Sequence, residues 1–309
     1  MGKYIIKRLL FLIPILLIIS LMVYFFMSLT GDPVLTVAGE NATAEEVELM
    51  REAMGLNDPF FVRYGRYIWN VLHGDLGTSL TGKDVWSYFI ERLPYTLLLA
   101  FAGMFVALIM SIPFGIIAAV KQNSWIDSLV STVSIAGLSI PNFWLGLMLM
   151  LLFSVKLGWL PVSGATDGVR SLILPAICAG LSNAATLARM TRSSMVDALH
   201  AEYLRTARAK GVSEKKVVLK HAFRNALLPI ITTAGNVFIL LIGGTVVVET
   251  VFSWPGIGYV IVQSVRGNEY TLVTGFVILT TVLVALVLLA VDILYAYIDP
   301  RIKASYTGK

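Results

Sequence analysis

The segment that decides the fold is Glu202 to Pro229, EYLRTARAKGVSEKKVVLKHAFRNALLP, which lies between two apolar segments. Between residues 188 and 226 the chain has nine Lys or Arg against three acids, a net charge of +6 where the whole chain has +5. Such charges are costly in hydrocarbon. This stretch must therefore lie outside the bilayer, and its basic character predicts that it lies in the cytoplasm.

The rest of the composition is that of a membrane protein, with 57% apolar residues, 14% charged residues and a mean hydropathy of +0.80. A helix needs roughly 20 apolar residues to cross a bilayer. Six segments fit, although polar residues interrupt the fourth: 9–29, 95–120, 128–155, 171–191, 228–251 and 271–296. Because both termini are basic, an even count is favoured. We predict an all-α integral membrane protein with six transmembrane helices and both termini cytoplasmic.

This orientation places sixteen of the 24 basic residues inside and eight outside. It divides the chain into an N-terminal transmembrane helix (1–29), an external segment (30–94), a membrane domain (95–300) with a cytoplasmic hairpin (193–227), and a cytoplasmic tail (301–309). In the external segment, Thr43 to Glu46 is typical of a capping box, and Gly55 ends the short helix that it begins. Two roles stay open for this segment: a small extracellular cap, or direct handling of a delivered substrate.

The external segment also contains a partial phosphate-binding motif, Gly77-x4-Gly82-Lys83. Asp84 follows where a P-loop has the hydroxyl that binds magnesium, and its carboxylate would repel phosphate. We therefore predict that this chain does not hydrolyse nucleotide and has no catalytic residues. One cysteine, Cys178, excludes an internal disulfide and a cysteine metal cluster, so no metal site is predicted.

The hairpin pattern predicts two helices. The first runs from about Met195 to Lys210 and ends at Gly211, a residue suited to a left-handed C-cap. The second begins after Ser213 as N-cap. Its predicted apolar stripe lies opposite Lys216, Lys220 and Arg224 and consists of Val218, Leu219, Ala222, Phe223 and Ala226. Such a unit fits a helix lying on anionic lipid, an ordinary positive-inside loop or an element docked in a partner's groove.

EYLRTARAKG followed by HAFRNALLP resembles the cytoplasmic loop of binding-protein-dependent ABC transporter permeases, and in particular the first permease subunit of dipeptide and oligopeptide systems. Other stretches resemble the same subfamily: YIIKRLLFLIP (Tyr4 to Pro14), GDP (Gly31 to Pro33), GLNDPFFVRYGRYI (Gly55 to Ile68), GDLGTSL (Gly74 to Leu80), ETVFSWPGIG (Glu249 to Gly258) and YAYIDPRIK (Tyr295 to Lys303). The resemblance implies the fold of an ABC importer type I transmembrane domain, with the permease domain at 95–300.

The resemblance also implies that the hairpin docks on a cytoplasmic ATPase. Alignment on Gly211 puts Arg205, Thr206 and Ala207 where the family has Glu-Ala-Ala, so its usual glutamate is not matched. The docking residues implied are Glu202, Arg205, Thr206, Ala207, Lys210, Gly211 and Val212. Implied partners are a second homologous permease, two ATP-binding subunits that hold ATP and magnesium, an extracellular or periplasmic binding protein and the lipid bilayer. This chain itself would need no cofactor and would bind no nucleic acid. Its expected location is a bacterial or archaeal cell (inner) membrane.

Polar residues within spans are candidates for the translocation path, because polarity facing lipid is costly. They are Ser139, Asn142, Asn183, Asn236 and Thr245. Each could equally hold two helices together. Glu249 and Asp292 lie near predicted span ends, where we expect solvation at the interface.

The leading interpretation is an ATP-driven importer of short peptides. The same machinery could instead carry nickel chelates, glutathione or another small solute. A proton-coupled secondary transporter would need titratable groups at the membrane midplane, and an intramembrane enzyme would need a constellation of His, Asp or Ser within spans. All three histidines lie in polar segments. Neither pattern is clear in the sequence.

Overall fold

The computed structural model describes residues 2–30, 34, 38 and 42–298, and this part of the chain is helical apart from its connections. The predicted tail (301–309) and the Gly31–Pro33 motif lie outside the described residues. The helices before the hairpin are α1 (Gly2–Thr30), α2 (Ala44–Ala53), α3 (Phe60–Leu72), α4 (Val85–Val120), α5 (Trp125–Ser139), α6 (Asn142–Leu149) and α7 (Val169–Leu199). They continue with α8 (Glu202–Ala209), α9 (Glu214–Lys216), α10 (Phe223–Gly244), α11 (Val246–Val251), α12 (Ile257–Arg266) and α13 (Tyr270–Ile298). The predicted all-α class is confirmed.

Within the described part of the chain, five helices are long and apolar enough to cross a membrane: α1, α4, α7, the continuous helix from Glu214 to Gly244, and α13. The predicted third span is different. It consists of α5 and of α6 with its π-helical end, Met150–Lys156, and the two parts are bent by 100° at Ile140 and Pro141. Proline fixes its own φ and disfavours the helical conformation in the residue before it, which gives the break a local cause. Counting this pair as one span gives the six that we predicted.

The chain divides into two compact units; two of the three boundaries fall within helices, α4 and α13, and the third falls in the connection between α11 and α12. The first unit comprises Met1–Tyr95 and Pro255–Leu289. In it α3 packs on α1: the Tyr24 ring contacts Phe60, Tyr64 and Tyr67, and the Tyr64 hydroxyl donates to the Leu17 carbonyl over 3.1 Å. Its apolar core is built from Leu76, Val85, Phe89, Ile257, Val260, Leu272, Phe276 and Leu279.

The external segment forms as predicted at its start. The Glu46 N–H donates to the Thr43 hydroxyl over 3.3 Å, and the Thr43 N–H donates to the Glu46 carboxylate over 2.8 Å. The hydrogen bonds that the Glu46 carboxylate accepts from the Thr43 N–H and from the Thr43 hydroxyl hold the pKa of Glu46 below its usual value. Gly55 ends the helix region with φ +63°. The partial P-loop follows a helix instead of a strand, and its Lys83 pairs with Glu91. These features agree with its rejection as a nucleotide site.

The second unit comprises Thr96–Trp254 and Ala290–Lys309. Within it α4 and α7 approach closely at glycines. A Cβ at Gly115 would lie 2.6 Å from the Thr191 Cβ, and one at Gly180 would lie 2.6 Å from the Val106 Cβ. Small residues at such positions let membrane helices pack backbone to backbone. The weakest predicted span, 171–191, is thus the middle of an intact, largely buried helix.

Candidate functional site

The hairpin (193–227) is the best-defined candidate site, and its first helix is shorter than predicted. Instead of one helix from Met195 to Lys210, α7 ends at Leu199 and α8 begins at Glu202. Ala201 has extended backbone angles, φ −69° and ψ 141°, which interrupt the helix. The continuous helix that we predicted is therefore wrong, and α8 is a separate eight-residue element with Glu202 in its first turn.

Gly211 caps this short helix in the way that was predicted. Its φ is +76°, in the left-handed region. The Val212 N–H donates to the Ala207 carbonyl over 3.3 Å, and the Gly211 N–H donates to the Arg208 carbonyl over 2.9 Å. These two bonds form a Schellman motif, which satisfies carbonyls at the helix end. The turn after α8 therefore has a defined shape that depends on a residue tolerant of positive φ.

An ion pair joins the two arms of the hairpin. The Arg208 guanidinium binds the Glu214 carboxylate through two hydrogen bonds, from Nε over 3.1 Å and from Nη2 over 2.7 Å. Both side chains are exposed, so the pair contributes little to stability and chiefly favours one geometry of the turn. Ser213 is the N-cap residue, as predicted, although its side chain makes no capping bond.

The second arm contains a π-helical turn, Val217–Ala222. The turn advances the register by one residue relative to an α-helix. As a result Val217 and Val218 are buried, whereas Leu219 is 50% exposed. The predicted stripe is confirmed at Val218, Ala222 and Ala226 and at the half-buried Phe223, which packs against the same core, and it is wrong at Leu219. Lys216, Lys220 and Arg224 are exposed as expected.

The hairpin rests on a continuous apolar core. Leu204 of α8 and Val217 are fully buried, and they belong to a cluster that includes the end of α4 and the end of α7. Its buried members are Ala119, Met195, Ala198, Leu204, Val217, Val218, Ala222, Ala226 and Ile230. Because one packed core contains residues from all these elements, the hairpin is a rigid extension of the membrane helices.

The predicted docking residues fall into two groups. Five are exposed: Glu202, Arg205, Thr206, Lys210 and Gly211. Ala207 and Val212 are half-buried, and Val212 packs against the hairpin core. Tyr203, which we did not single out, is 43% exposed beside them. With Tyr203, the exposed group presents cationic, anionic, hydroxyl and aromatic side chains on one short helix and its turn. The docking role of all seven residues stays a prediction.

The five predicted path residues are not brought together by hydrogen bonds. The Ser139 hydroxyl and the Asn183 amide bond to carbonyls of their own helices, and Asn236 is exposed. Asn142 instead connects two elements, since its side-chain oxygen accepts from the Ser182 hydroxyl of α7. Thr245 is buried. Their part in translocation stays a prediction.

The expected interfacial solvation of Glu249 and Asp292 is wrong. Glu249 is fully buried and Asp292 is 8% exposed. The Glu249 Oε1 accepts hydrogen bonds from the Thr96 hydroxyl over 2.8 Å and from the Thr245 hydroxyl over 3.1 Å. Proximity to a span end did not reveal this site, because burial here comes from the packing of α4 against α11 through partners distant in sequence.

An ion pair missed by the sequence analysis lies near the hairpin. The Arg192 guanidinium of α7 binds both oxygens of Asp127 in α5, over 2.5 and 2.6 Å. Asp127 is 4% exposed and also accepts from the Asn123 N–H. Such a two-bond pair fixes orientation as well as distance. A carboxylate in an otherwise apolar first turn was the available sequence signal.

The family that matches is described as "Binding-protein-dependent transport system inner membrane component", over residues 111–304. The chain belongs to this family. A second description, "Binding-prot-dependent transport system membrane comp, N-term", matches residues 1–100. The permease is thus a multi-pass protein of the inner membrane, and its family is one of transport, not of enzymes.

Individual relatives agree over nearly the full length. The permease is 45% identical over 305 residues to "Glutathione transport system permease protein GsiC" of Escherichia coli (strain K12), which covers 98% of this chain and 99% of the relative. It is 46% identical over 305 residues to the protein of the same name from Salmonella paratyphi A, with the same coverage. The prediction that the chain is an ABC importer permease is confirmed.

Solved structures support the fold. The permease superposes on a chain of the inward-facing MetNI methionine ABC transporter with a TM-score of 0.60 at 20% identity, covering 69% of this chain and 97% of that chain. A chain of "an amino acid ABC transporter with histidines" gives a TM-score of 0.52 at 16% identity, with 70% and 94% covered. The predicted class of an importer transmembrane domain is confirmed.

Proposed function

We propose that this permease imports short peptides that an extracellular binding protein delivers. ATP hydrolysis on two partner subunits drives this transport, and the hairpin couples hydrolysis to the movement of the membrane helices. A second, homologous permease subunit completes the membrane part. The observation that carries the proposal is the hairpin itself: an exposed, Schellman-capped helix held on a buried core that includes the ends of α4 and α7.

Rigidity makes this surface suited to transmitting force. A docked partner that moves as it closes around ATP would displace α8 as a body, because Leu204 is fully buried in the common core. Packed cores shift between discrete arrangements and do not deform continuously. The displacement would therefore reach α7 and α10, which α8 adjoins through the core. Arg205 and Lys210 favour a partner surface that carries acids.

The substrate proposal rests on the relatives. The names of these relatives assign them to glutathione transport, and glutathione is a tripeptide. A short peptide or a peptide-like solute is therefore the favoured cargo. Nickel chelates and other small solutes remain the alternatives within the same machinery.

The test is uptake of labelled glutathione and of labelled trialanine into proteoliposomes that contain the whole complex and its binding protein. We expect uptake with ATP and magnesium and none with a proton gradient alone. Uptake driven by the gradient without ATP would favour a secondary transporter. ATP-driven uptake of a nickel chelate, with neither peptide transported, would contradict the peptide proposal and leave the ABC mechanism standing.

A charge variant tests docking separately. Arg205→Glu reverses an exposed hairpin charge without touching the core, so we expect normal folding but weaker capture of the ATP-binding subunits. Lys121→Glu is the matched control, because Lys121 is an exposed cation at the same predicted membrane face, outside the hairpin. Equal capture by both variants would count against docking on α8.

A further inference from the structure

A cavity of about 710 Å³ lies within the first unit, between α1, the external segment and the start of α13. Its size is within the range of small-molecule sites. Aromatic and polar side chains line it together, including Tyr24, Tyr67, Arg51, Arg63 and Glu269. In the predicted topology this cavity is on the external side, where a delivered substrate arrives.

Two residues that line the cavity each have a buried polar atom without a hydrogen-bond partner among the residues that the structure describes. These atoms are the Arg63 Nε and the Tyr67 hydroxyl. Leaving a buried donor unsatisfied is costly, and native proteins rarely do so without a ligand, water or ion at the site. Burial raises the pKa of Tyr67 above its usual value, so at neutral pH its hydroxyl keeps its proton and can donate.

These donors have a common chemistry. Arg63 and Tyr67 lie on the same side of α3, four residues apart. A guanidinium with a neighbouring hydroxyl is well suited to a carboxylate. Arg51 adds a second cation to the wall, although Glu48 contacts it at 3.5 Å. Together these side chains give this part of the cavity a positive character.

The opposite charge is also present. Glu269, immediately before α13, lines the cavity and accepts the Leu80 N–H over 3.1 Å. An ionised carboxylate accepts several hydrogen bonds, so this contact leaves capacity for an ammonium group. The Leu80 contact also holds the irregular loop in place. A cavity with both cationic and anionic side chains matches a zwitterion better than a simple anion.

We propose that this cavity is a binding site for a zwitterionic, peptide-like solute, whose carboxylate binds Arg63 and Tyr67 and whose ammonium group faces Glu269. The site deepens the proposed function and rests on it, because it names which groups of the cargo the permease itself recognises. Of the two roles left open for the external segment, a small extracellular cap and direct handling of a delivered substrate, this proposal favours the second.

The experiment measures binding to the purified complex of both permeases and both ATP-binding subunits in phosphatidylcholine nanodiscs, without the binding protein. The probes are trialanine, its C-terminally amidated form and its N-acetylated form, titrated by calorimetry. Leaving out the binding protein ensures that any discrimination comes from the membrane complex. The variants are Arg63→Gln, Tyr67→Phe and Glu269→Gln.

The matched control is Arg66→Gln. Arg66 lies on the same helix, is paired with Asp58 at 2.7 Å, and lines a smaller neighbouring pocket but not this cavity. We expect amidation to weaken trialanine binding roughly 10- to 100-fold, the usual effect of losing a charged hydrogen bond. Arg63→Gln should weaken trialanine equally and leave the amidated peptide unchanged. Tyr67→Phe should weaken trialanine about 2- to 10-fold, and Arg66→Gln should have no effect.

Glu269→Gln should weaken trialanine and leave the N-acetylated form unchanged. Equal affinity for trialanine and its amide, or no binding at millimolar concentration, would overturn the proposal. So would loss of trialanine binding in nanodiscs containing phosphatidylglycerol, which would show that lipid phosphate occupies the site. Intact complex in each variant, measured by size-exclusion chromatography, separates loss of binding from loss of folding.

The two proposals fail in different ways. If proteoliposomes take up no peptide while the complex binds trialanine through Arg63, the peptide-import proposal fails and the site stands. If peptides are imported but binding ignores the carboxylate, the site fails and the function stands.

Discussion

Gly211 combines two properties: a left-handed backbone and an exposed position on the proposed docking surface. Nothing lies within 4 Å of the place where its Cβ would be, so a side chain there meets no atom of this chain. Substitution therefore has two separable effects, backbone strain and a new group on the surface.

We expect Gly211→Val to reduce uptake strongly, because a β-branched residue at positive φ costs about 1–2 kcal/mol and favours opening of the turn. Gly211→Asn should keep the turn, since Asn tolerates this conformation. Uptake and ATPase stimulation would be measured for both. Loss in both variants indicates a steric requirement of the partner, and loss in Val alone indicates a requirement for the turn. Gly158→Val, with φ +63° and open space, is the control on the predicted external side.

Glu249 is the other residue whose surroundings decide its role. Its buried carboxyl accepts from Thr96 and Thr245. We expect Thr96→Val to lower stability by about 1–2 kcal/mol, because a buried acceptor loses a donor while the shape of the side chain is kept. Thr96→Ser should retain most of the stability. Melting temperatures in detergent measure both, and equal values for Val and Ser would contradict the importance of this bond.

At the scale of elements, the π-helical turn in the hairpin decides which side chains pack. An α-helical register would bury Leu219, whereas the observed turn buries Val217 and exposes Leu219. A sequence with Val217, Val218 and Leu219 in succession satisfies either register, so periodicity alone could not choose.

Two alanine variants distinguish these registers. Val217→Ala should destabilise the hairpin by about 2 kcal/mol, because it removes fully buried methyl groups. Leu219→Ala should change stability by no more than about 0.5 kcal/mol, as at other exposed positions. Limited proteolysis of the hairpin would report on both. A larger effect at Leu219 than at Val217 would mean that the turn is α-helical.

Features of this structure that depend on residues close in sequence could be predicted from the sequence, and features that depend on residues distant in sequence could not. Local signals predicted the capping box at Thr43 and the left-handed turn at Gly211, since each depends on neighbours in the chain. Hydropathy found the apolar segments but carries no direction, so the bend at Pro141 was missed. The pairing of Asp127 with Arg192 spans 65 residues and has no periodic signature.

At the scale of the whole molecule, the bent pair α5–α6 determines the number of membrane spans. If it crosses as a broken span, residues before and after it are on opposite faces, and the chain has six spans with both termini inside. If it is a re-entrant loop, the two ends lie on the same face.

Cysteine labelling of cells decides this. The single native cysteine, Cys178, is fully buried, so a membrane-impermeant maleimide should give little background. We expect Thr166→Cys to be labelled from outside and Gln122→Cys only after permeabilisation. Thr81→Cys provides the external reference and Lys210→Cys the internal one. Labelling of positions 122 and 166 from the same side would contradict six spans.

The core beneath the hairpin has a consequence for how the protein is made. Ala119 leaves the ribosome long before Leu204 and Val217, yet all three belong to one cluster. Chains are synthesised and fold from the N-terminus. The end of α4 therefore lacks its packing partners in this cluster until Ile230 has been synthesised. We expect chains truncated before that point to leave the part of this core that α4 and α7 form exposed and open to proteolysis.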